Sequence, residues 1–565
     1  MMADGKAIMR DYGNVRDHYA NFLTRWDLQA PFIDPSRIGI LGGTTPGQNQ
    51  LRDVYDSTTM GANDLLSKFI SSSTFSPGQR WGRITAKRFS IGERDDIDDW
   101  CDEVTEKMLK AIGASNFYAE APDMTKDYTG FGTGSLHFDE RKEYASEYES
   151  RRGGFRGLRF QATKTGRFFN ATDAEGKIDK EYREQEMSVR AARAKFGDAA
   201  LPADVKSYFR AGADQEKKFT FIHAAYPRPK SEYKGRGTLS YPYASCWVEK
   251  ESKELVRESG YKFYPFANPR WEVTPGEIPG RGPGDRAFPD TRSLNEAKKL
   301  DLEALAIDVR KPLIQASDSV LGDIELRPAG RSIVKTGSQR SVKDVLQALE
   351  TSPNYQMANV KEEQLRQSIN ELFFVDILRA LLKVEKSEMT AFEFARKLEL
   401  MYRILGAVYG RYESDFLAPL WDGVFTLMWD ASALPPPPPE LFDEVKEIQI
   451  EFTSPLALAQ KAQEVDGVLK TFSAIPVLGQ NDPQAITDLK DNFDQDKAMR
   501  FIAKTYGLPE SVIVSEQVRD EKRQARTQAR QEVNQMAQIQ AGSEAARNVA
   551  PLITSLQNVG VAGNA

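Results

Sequence analysis

The residues of this chain that could do chemistry are three glycine-rich runs, a cluster of aspartates, three histidines and two cysteines. Gly39 to Gly47, Gly130-Phe131-Gly132-Thr133-Gly134 and Gly280-Arg281-Gly282-Pro283-Gly284 have the composition of loops whose bare amides cradle phosphates. None completes the pattern. The first lacks a Gly-Lys-Ser/Thr, the third contains Pro283 and follows no βα context, and the second reads as a turn leading into a strand. Asp95, Asp96, Asp98 and Asp99 could hold a divalent ion, but carboxylates at a helix start also match the helix dipole. His18, His137 and His223 are far apart, and none has a second His or Cys at ligand spacing. Cys101 and Cys246 are too few for a disulfide framework or a Cys-rich zinc site. No serine occupies a Gly-x-Ser-x-Gly elbow. The expectation is a chain that is not an enzyme, with no cofactor and no metal.

The elements around these residues must therefore carry the function. With 565 residues the chain is long enough for several domains. Its 76 Lys+Arg against 82 Asp+Glu leave a net charge of -6, where a conventional DNA-binding protein needs a cationic excess. The hydrophobic fraction of 40% and mean hydropathy of -0.52 suggest apolar surface reserved for neighbouring subunits. The first residues, Met1-Met2-Ala3-Asp4-Gly5-Lys6, lack a secretory h-region. Leu372 to Leu382 is interrupted by Asp376 and Arg379 and is too short to span a bilayer. A soluble product of a reducing compartment, with no membrane partner, is expected.

Hydrophobic periodicity predicts helices over 53–70 and 97–112. In the second, Ile97, Trp100, Cys101, Val104, Met108 and Ile112 form one stripe, on which Cys101 reads as a small core residue. From about Gly130 the chain becomes strand-rich, through Phe219 to His223 and Tyr243 to Val248, interrupted by a helix near 188–196. Residues 275–289 contain so many Pro and Gly that neither helix nor central strand is expected there. Long helices are predicted over 291–311 and 360–383, the latter with a stripe of Leu365, Ile369, Leu372, Phe373 and Leu381. A β-containing excursion that includes 320–326 lies between them. A third helical block covers 390–429. The proline run Pro435 to Pro439 reads as a stiff spacer, Ile448 to Phe452 as a strand, and 515–539 as a self-associating helix. The fold class is α+β, mainly α.

In order and spacing these segments resemble the portal, or head-to-tail connecting, proteins of short-tailed, podovirus-like bacteriophages. The resemblance rests on Tyr55-Asp56-Ser57-Thr58 with Ala62 and Leu65, Trp81 after Pro77, and Gly130 to Leu136. It continues through Tyr226-Pro227-Arg228, Ser259-Gly260-Tyr261, Pro265-Phe266 and Arg270-Trp271. Gly280 to Gly284 with Pro289-Asp290 and Leu294-Asn295 follow, then Met389-Thr390-Ala391 with Glu393 and Glu399, Pro419-Leu420 and Leu434-Pro435-Pro436. Ile278-Pro279 departs from the expected Ile-Tyr.

The resemblance implies a portal fold: a β-rich wing over 1–290, stem helices 291–311 and 360–383, and a small α/β clip over 312–359. A tunnel loop over 384–388, a wing return over 389–500 and a helical crown with the C-terminal tail over 501–565 complete it. It implies a homo-oligomeric ring, normally of twelve, at one capsid vertex of the virion, assembled in the host cytoplasm. Double-stranded DNA would pass through it during packaging and ejection. The implied protein partners are the major capsid protein, the terminase large subunit, head-tail adaptor and tail proteins, and a scaffolding protein. Twelve helices about 10 Å apart close a circle roughly 38 Å across their axes. Subtracting about 10 Å for one helix leaves roughly 28 Å clear, enough for a duplex about 20 Å wide. An acidic conduit avoids strong phosphate pairing, and a few cations would tune the friction. The candidates are Lys298, Lys299, Arg379, Lys383 and Lys386. The competing readings are another virion structural protein, such as a tail-tube or internal core component, and a DNA-packaging enzyme, for which nucleotide or metal signatures are lacking.

Overall fold

The computed structural model describes residues 4–42, 51–86, 95–141, 154–210, 213–233, 237–309, 313–315, 346–348, 355–382, 406, 408–439, 448–452, 465, 467–473, 496, 498–499, 502–503, 519, 521–528 and 531. They fall into two units. One comprises Met1–Trp81, Met108–Leu434 and Ser454–Gln460; the other comprises Gly82–Lys107, Pro435–Thr453 and Lys461–Ala565.

The first unit is built on a five-stranded antiparallel sheet, in the order β4 (Phe168–Thr172), β5 (Ile178–Ser188), β6 (Lys218–Pro227), β7 (Tyr243–Glu249), β8 (Leu255–Tyr261). Successive side chains point to opposite faces of a strand, so each strand serves two cores. Tyr182, Ile222, Ala224, Cys246 and Val248 meet helices α1 (Gly5–His18) and α2 (Ala20–Ile33), which bring Tyr12, Tyr19, Leu23 and Trp26. On the opposite face Phe221 and Trp247 pack with Val189 and Ala192 of the helix Val189–Phe196. That helix starts where the Ser188 hydroxyl accepts from Ala191 N–H, as the sequence predicts. A three-stranded sheet, in the order β3 (Leu158–Ala162), β2 (Leu136–Glu140), β9 (Phe266–Ala267), belongs to the same unit.

The helices of this unit depart from expectation in three places. The helix predicted over 53–70 runs over Thr58–Thr74 (α3), because the Asp56 carboxylate accepts from Thr58 N–H at 2.8 Å and ends the preceding turn. The stretch 275–289 is not free of helix: a long helix, Pro283–Val309, begins inside it and replaces the predicted 291–311. Pro283 is its first residue, where no N–H is needed. Pro289 is carried within the helix because Ala287, Thr291 and Leu294 on its buried face hold it against the body. The helix predicted over 360–383 is two, Tyr355–Leu372 and Val375–Leu382. Phe374 sits at φ +59 between them, a conformation that interrupts a right-handed helix. Buried Phe373, Val375 and Leu378 anchor the break, and neither Gly nor Pro marks it in the sequence.

Two short strands, Leu313–Gln315 and Leu346–Ala348, pair antiparallel between the long helices. The predicted β segment 320–326, the turn 384–388, Leu381 as a packed side chain and most of the 390–429 block before Tyr409 lie outside the described residues. From Ala418 to Asp430 that block is helical, and its Trp421 meets Trp81 edge-on at 5.2 Å.

In the second unit β1 (Arg83–Ala86) pairs antiparallel with Ile448–Glu451, the strand expected over 448–452. Arg83 and Glu451 face each other in this register and join at 2.7 Å. Helix Asp95–Gly113 contributes its residues as far as Lys107 to this unit. Its entire predicted stripe is buried, Cys101 included. Trp100 Nε1 donates to the Pro435 carbonyl at 3.1 Å, which pins the start of the proline run. Residues 521–528 are helical and exposed; the rest of the predicted 515–539 helix lies outside the described residues.

Candidate functional site

The paired long helices carry the candidate cations, and their positions begin at a seam of glycines. Helix Phe117–Phe131 ends on Gly132, a left-handed C-cap at φ +81, the conformation in which glycine costs least. A Cβ there would run into the backbone of Gly280 to Gly282, and one on Gly284 into the Gly130 carbonyl. The two glycine runs that resemble phosphate loops are instead packed backbone to backbone. Trp271 N–H donates to the Gly132 carbonyl at 2.9 Å, which closes the seam beside the start of Pro283–Val309.

Beyond the seam, side chains tie the helix to the 53–59 segment. Asn295 accepts from Tyr55 N–H at 2.7 Å and donates to the Asp53 carbonyl at 3.1 Å. The Thr59 and Thr291 hydroxyls meet at 2.7 Å. Helix Tyr355–Leu372 lies alongside, joined by Ser368 Oγ donating to Asp290 Oδ2 at 2.6 Å. Glu362, buried on its inner face, accepts from Lys298 Nζ at 3.2 Å and from Arg366 Nη2 at 3.0 Å. Arg366 reaches on to Asp56 at 3.0 Å. Burial alone would raise the Asp56 carboxyl, but donors from Thr58 and Arg366 hold it below its ordinary value. The lattice Lys298–Glu362–Arg366–Asp56 thus spans both helices and the 53–59 segment.

Of the five sequence candidates, Lys298, Lys299 and Arg379 are among the described residues. Lys298 is half-buried and committed to Glu362, with Asp301 at 3.9 Å. Lys299 is half-buried one position on, about 100° around the helix. Arg379 is exposed on Val375–Leu382. Lys383 and Lys386 lie outside the described residues. Sequence reasoning missed Glu362, Arg366 and Asp56. The only signal was the Glu362/Arg366 pair at i,i+4, which is common on exposed helix faces.

The outer flanks of the two helices are apolar and exposed. On Pro283–Val309, Leu300, Leu302, Leu305, Ile307 and Val309 are exposed, the last at 76%. At about 100° per residue, Leu300 and Ile307 fall within about 20° of each other. They lie on the side away from Lys298 and hence from the neighbouring helix, whereas Leu302, Leu305 and Val309 extend the line of Ala287, Thr291 and Leu294. On Tyr355–Leu372, Met357 (60%) and Val360 (57%) are exposed, roughly opposite buried Glu362 and Ile369. Each helix therefore presents large apolar side chains away from its partner, where burial gains about 25 cal/mol per Å².

The histidines also depart from expectation. His18 stands apart, but His137 on β2 and His223 on β6 lie with ring centroids 5.3 Å apart between the two sheets. Strand register sets His223 opposite Arg183 on one side and Trp247 on the other. Arg183 Nε donates to His223 Nδ1 at 3.2 Å, His223 Nε2 bonds Ser245 Oγ at 2.9 Å, and Trp247 stacks on the imidazole at 4.3 Å. Nearby, Glu181 accepts from Ser135 and Asn268, and burial pushes its carboxyl up to about 7. Among the described residues no group of three His, Cys, Asp or Glu could hold a metal ion.

A helical hairpin rooted in a two-sheet body and apolar on its outer flanks defines a mixed helix-and-sheet fold. Residues 5–514 match the family described as bacteriophage head to tail connecting protein, and the chain belongs to that family. It is 26% identical over 562 residues to a probable portal protein of Bordetella phage BPP-1, covering 98% of this chain and 96% of that one. It is 24% identical over 553 residues to the portal protein of Salmonella phage epsilon15, covering 97% and 96%.

Proposed function

We propose that this chain is the portal subunit of a short-tailed phage. Copies close a ring, normally of twelve, at one capsid vertex, and double-stranded DNA passes through it during packaging and ejection. The observation that supports ring closure is the pair of exposed apolar flanks, Leu300 and Ile307 on one long helix and Met357 and Val360 on the other. Two different flanks on one subunit suit a heterologous contact, in which each copy offers one flank to the copy before it and the other to the copy after, and such contacts generate rings when the rotation closes. The paired helices are the stem in this reading, and the 312–359 segment between them is the clip that meets terminase and tail adaptors. The major capsid protein and a scaffolding protein surround the wing. The role is structural and not enzymatic, and its place is the virion.

Lys298 acts in this reading as a strut between the two stem helices, since Glu362 takes up its charge. Lys299, Arg379, Lys383 and Lys386 are the cations offered to passing DNA, in a chain whose net charge of -6 otherwise repels it. The experiment is a native mass measurement under assembly-permitting conditions, joined to negative-stain images. A closed species near twelve times 63.4 kDa with an axial opening is expected. Monomer alone, or open fibres and tubes, would overturn the proposal.

A further inference from the structure

The first unit contains a cleft that the conduit does not use. It lies between the Ser36–Ile40 segment, the turn from β3 to β4, and β5, and holds about 420 Å³, within the range of small-ligand sites. Its wall carries four cations, Arg37, Lys164, Arg167 and Arg183, against the carboxylates Glu184 and Glu186. Glu184 is already engaged, by Arg167 at 2.8 Å, by Lys250 at 2.8 Å and by the Tyr12 hydroxyl. Arg37 is matched by Asp127 at 2.7 Å.

Among the described residues neither of the other two cations forms an ion pair, although the carboxyls of Glu181 and Asp139 act on Arg183 from further off. The buried Arg183 guanidinium is bonded to the neutral acceptors His223 Nδ1, at 3.2 Å, and Gln161 Oε1, at 3.3 Å. Lys164 is exposed and donates to the Ser36 carbonyl at 3.4 Å, so the cost of an unpaired buried charge falls on Arg183 alone. A buried charge is stable when paired and costly when not. Next to Lys164 in the chain, Thr165 is 2% exposed, and its Oγ1 is buried with no hydrogen-bond partner among the described residues. The turn is held in place: Gly166 sits at φ +83, so close to Ile40 that a Cβ would overlap its side chain. Thr165 N–H is fixed on Asp127 Oδ2 at 3.0 Å.

We propose that this cleft binds an oxyanion, which pairs with the buried Arg183 and the exposed Lys164 and supplies the acceptor that Thr165 Oγ1 lacks among the described residues. The shared chemistry is that of phosphate and carboxylate, so the source is either a free phosphate or an acidic side chain of a bound protein segment. Charge-assisted hydrogen bonds from Arg and Lys are the strong ones in such recognition.

The test follows thermal unfolding of the full chain with sodium phosphate, acetate or chloride at matched ionic strength, in wild type, Lys164→Ala and Thr165→Val. Lys164 is exposed and in no ion pair among the described residues, and Thr165→Val keeps the branched shape, so both variants are expected to fold. Saturable stabilisation by phosphate, weakened about tenfold in Lys164→Ala and measurably in Thr165→Val, supports the site and a phosphate source. Equal saturation by acetate supports it with a carboxylate source. Stabilisation matched by chloride, no saturation, or variants that respond like wild type would overturn it. The readout does not depend on ring closure and can be made on whatever oligomer the protein forms.

Discussion

Buried beside Arg183, neither His137 nor His223 can take up a proton without a large penalty. Burial first, then the neighbouring guanidinium, hold both imidazoles well below their ordinary value. A group whose value is depressed on folding contributes stability above its unfolded value, about 6.5, and loses it as the pH falls toward the folded one. Glu181 acts in the opposite sense. Raised to about 7, it favours the folded state below its unfolded value near 4.5 and loses that contribution as the pH rises through 7. Between about pH 5 and 6 the unfolded chain binds protons on two imidazoles and the native chain on one carboxyl, so the histidines prevail. Urea unfolding is expected to show stability falling by about 1 kcal/mol per pH unit on acidification through that window. His137→Gln should flatten this dependence. A pH-independent midpoint from 7 to 5 would show that the native chain binds as many protons as the unfolded one, and would overturn this account of the buried cluster.

At the scale of elements, the glycine seam decides how the long helix leaves the body. Gly284→Ala places a methyl against the Gly130 carbonyl, and both backbones belong to well-packed helices that cannot easily retreat. The expected cost is about 1–3 kcal/mol, as for overpacking a core, read as a lower midpoint in thermal or urea unfolding. Gly61→Ala is the matched control. It lies on α3 with nothing within 4 Å of the added atom, and should stabilise by about 0.5–1 kcal/mol through helix propensity alone. Equal effects of the two substitutions would remove the seam from the account.

For the assembled molecule the outer flanks of the helical pair matter more than any single ion pair. Changing Ile307 or Val360 to Glu leaves the described subunit core untouched, because both residues are exposed in the single chain. In a closed ring the same carboxylate would be buried against a neighbour, at several kcal/mol per interface. Either variant is expected to remain folded by circular dichroism yet to run as monomer in native mass spectrometry. A variant that still forms complete rings would place the subunit contact elsewhere.

Much of this protein was legible in its residues. The stripe from Ile97 to Ile112, the helix near 188–196 and the strand at 448–451 follow from local periodicity, because the groups that decide them are neighbours along the chain. The acidic balance and the polar composition likewise belong to the sequence alone. What it could not reveal depends on contacts between distant segments. Pro289 reads as a helix breaker, but burial of Ala287, Thr291 and Leu294 outweighs one lost hydrogen bond. Phe374 reads as helical, yet packing of Phe373, Val375 and Leu378 holds it left-handed. The glycines of 130–134 and 280–284 read as two loops, and only the packing of the two runs against each other explains why Gly132, Gly280, Gly282 and Gly284 carry no side chain. His137 and His223 became neighbours through strand pairing and the meeting of two sheets, which no spacing along a single segment encodes.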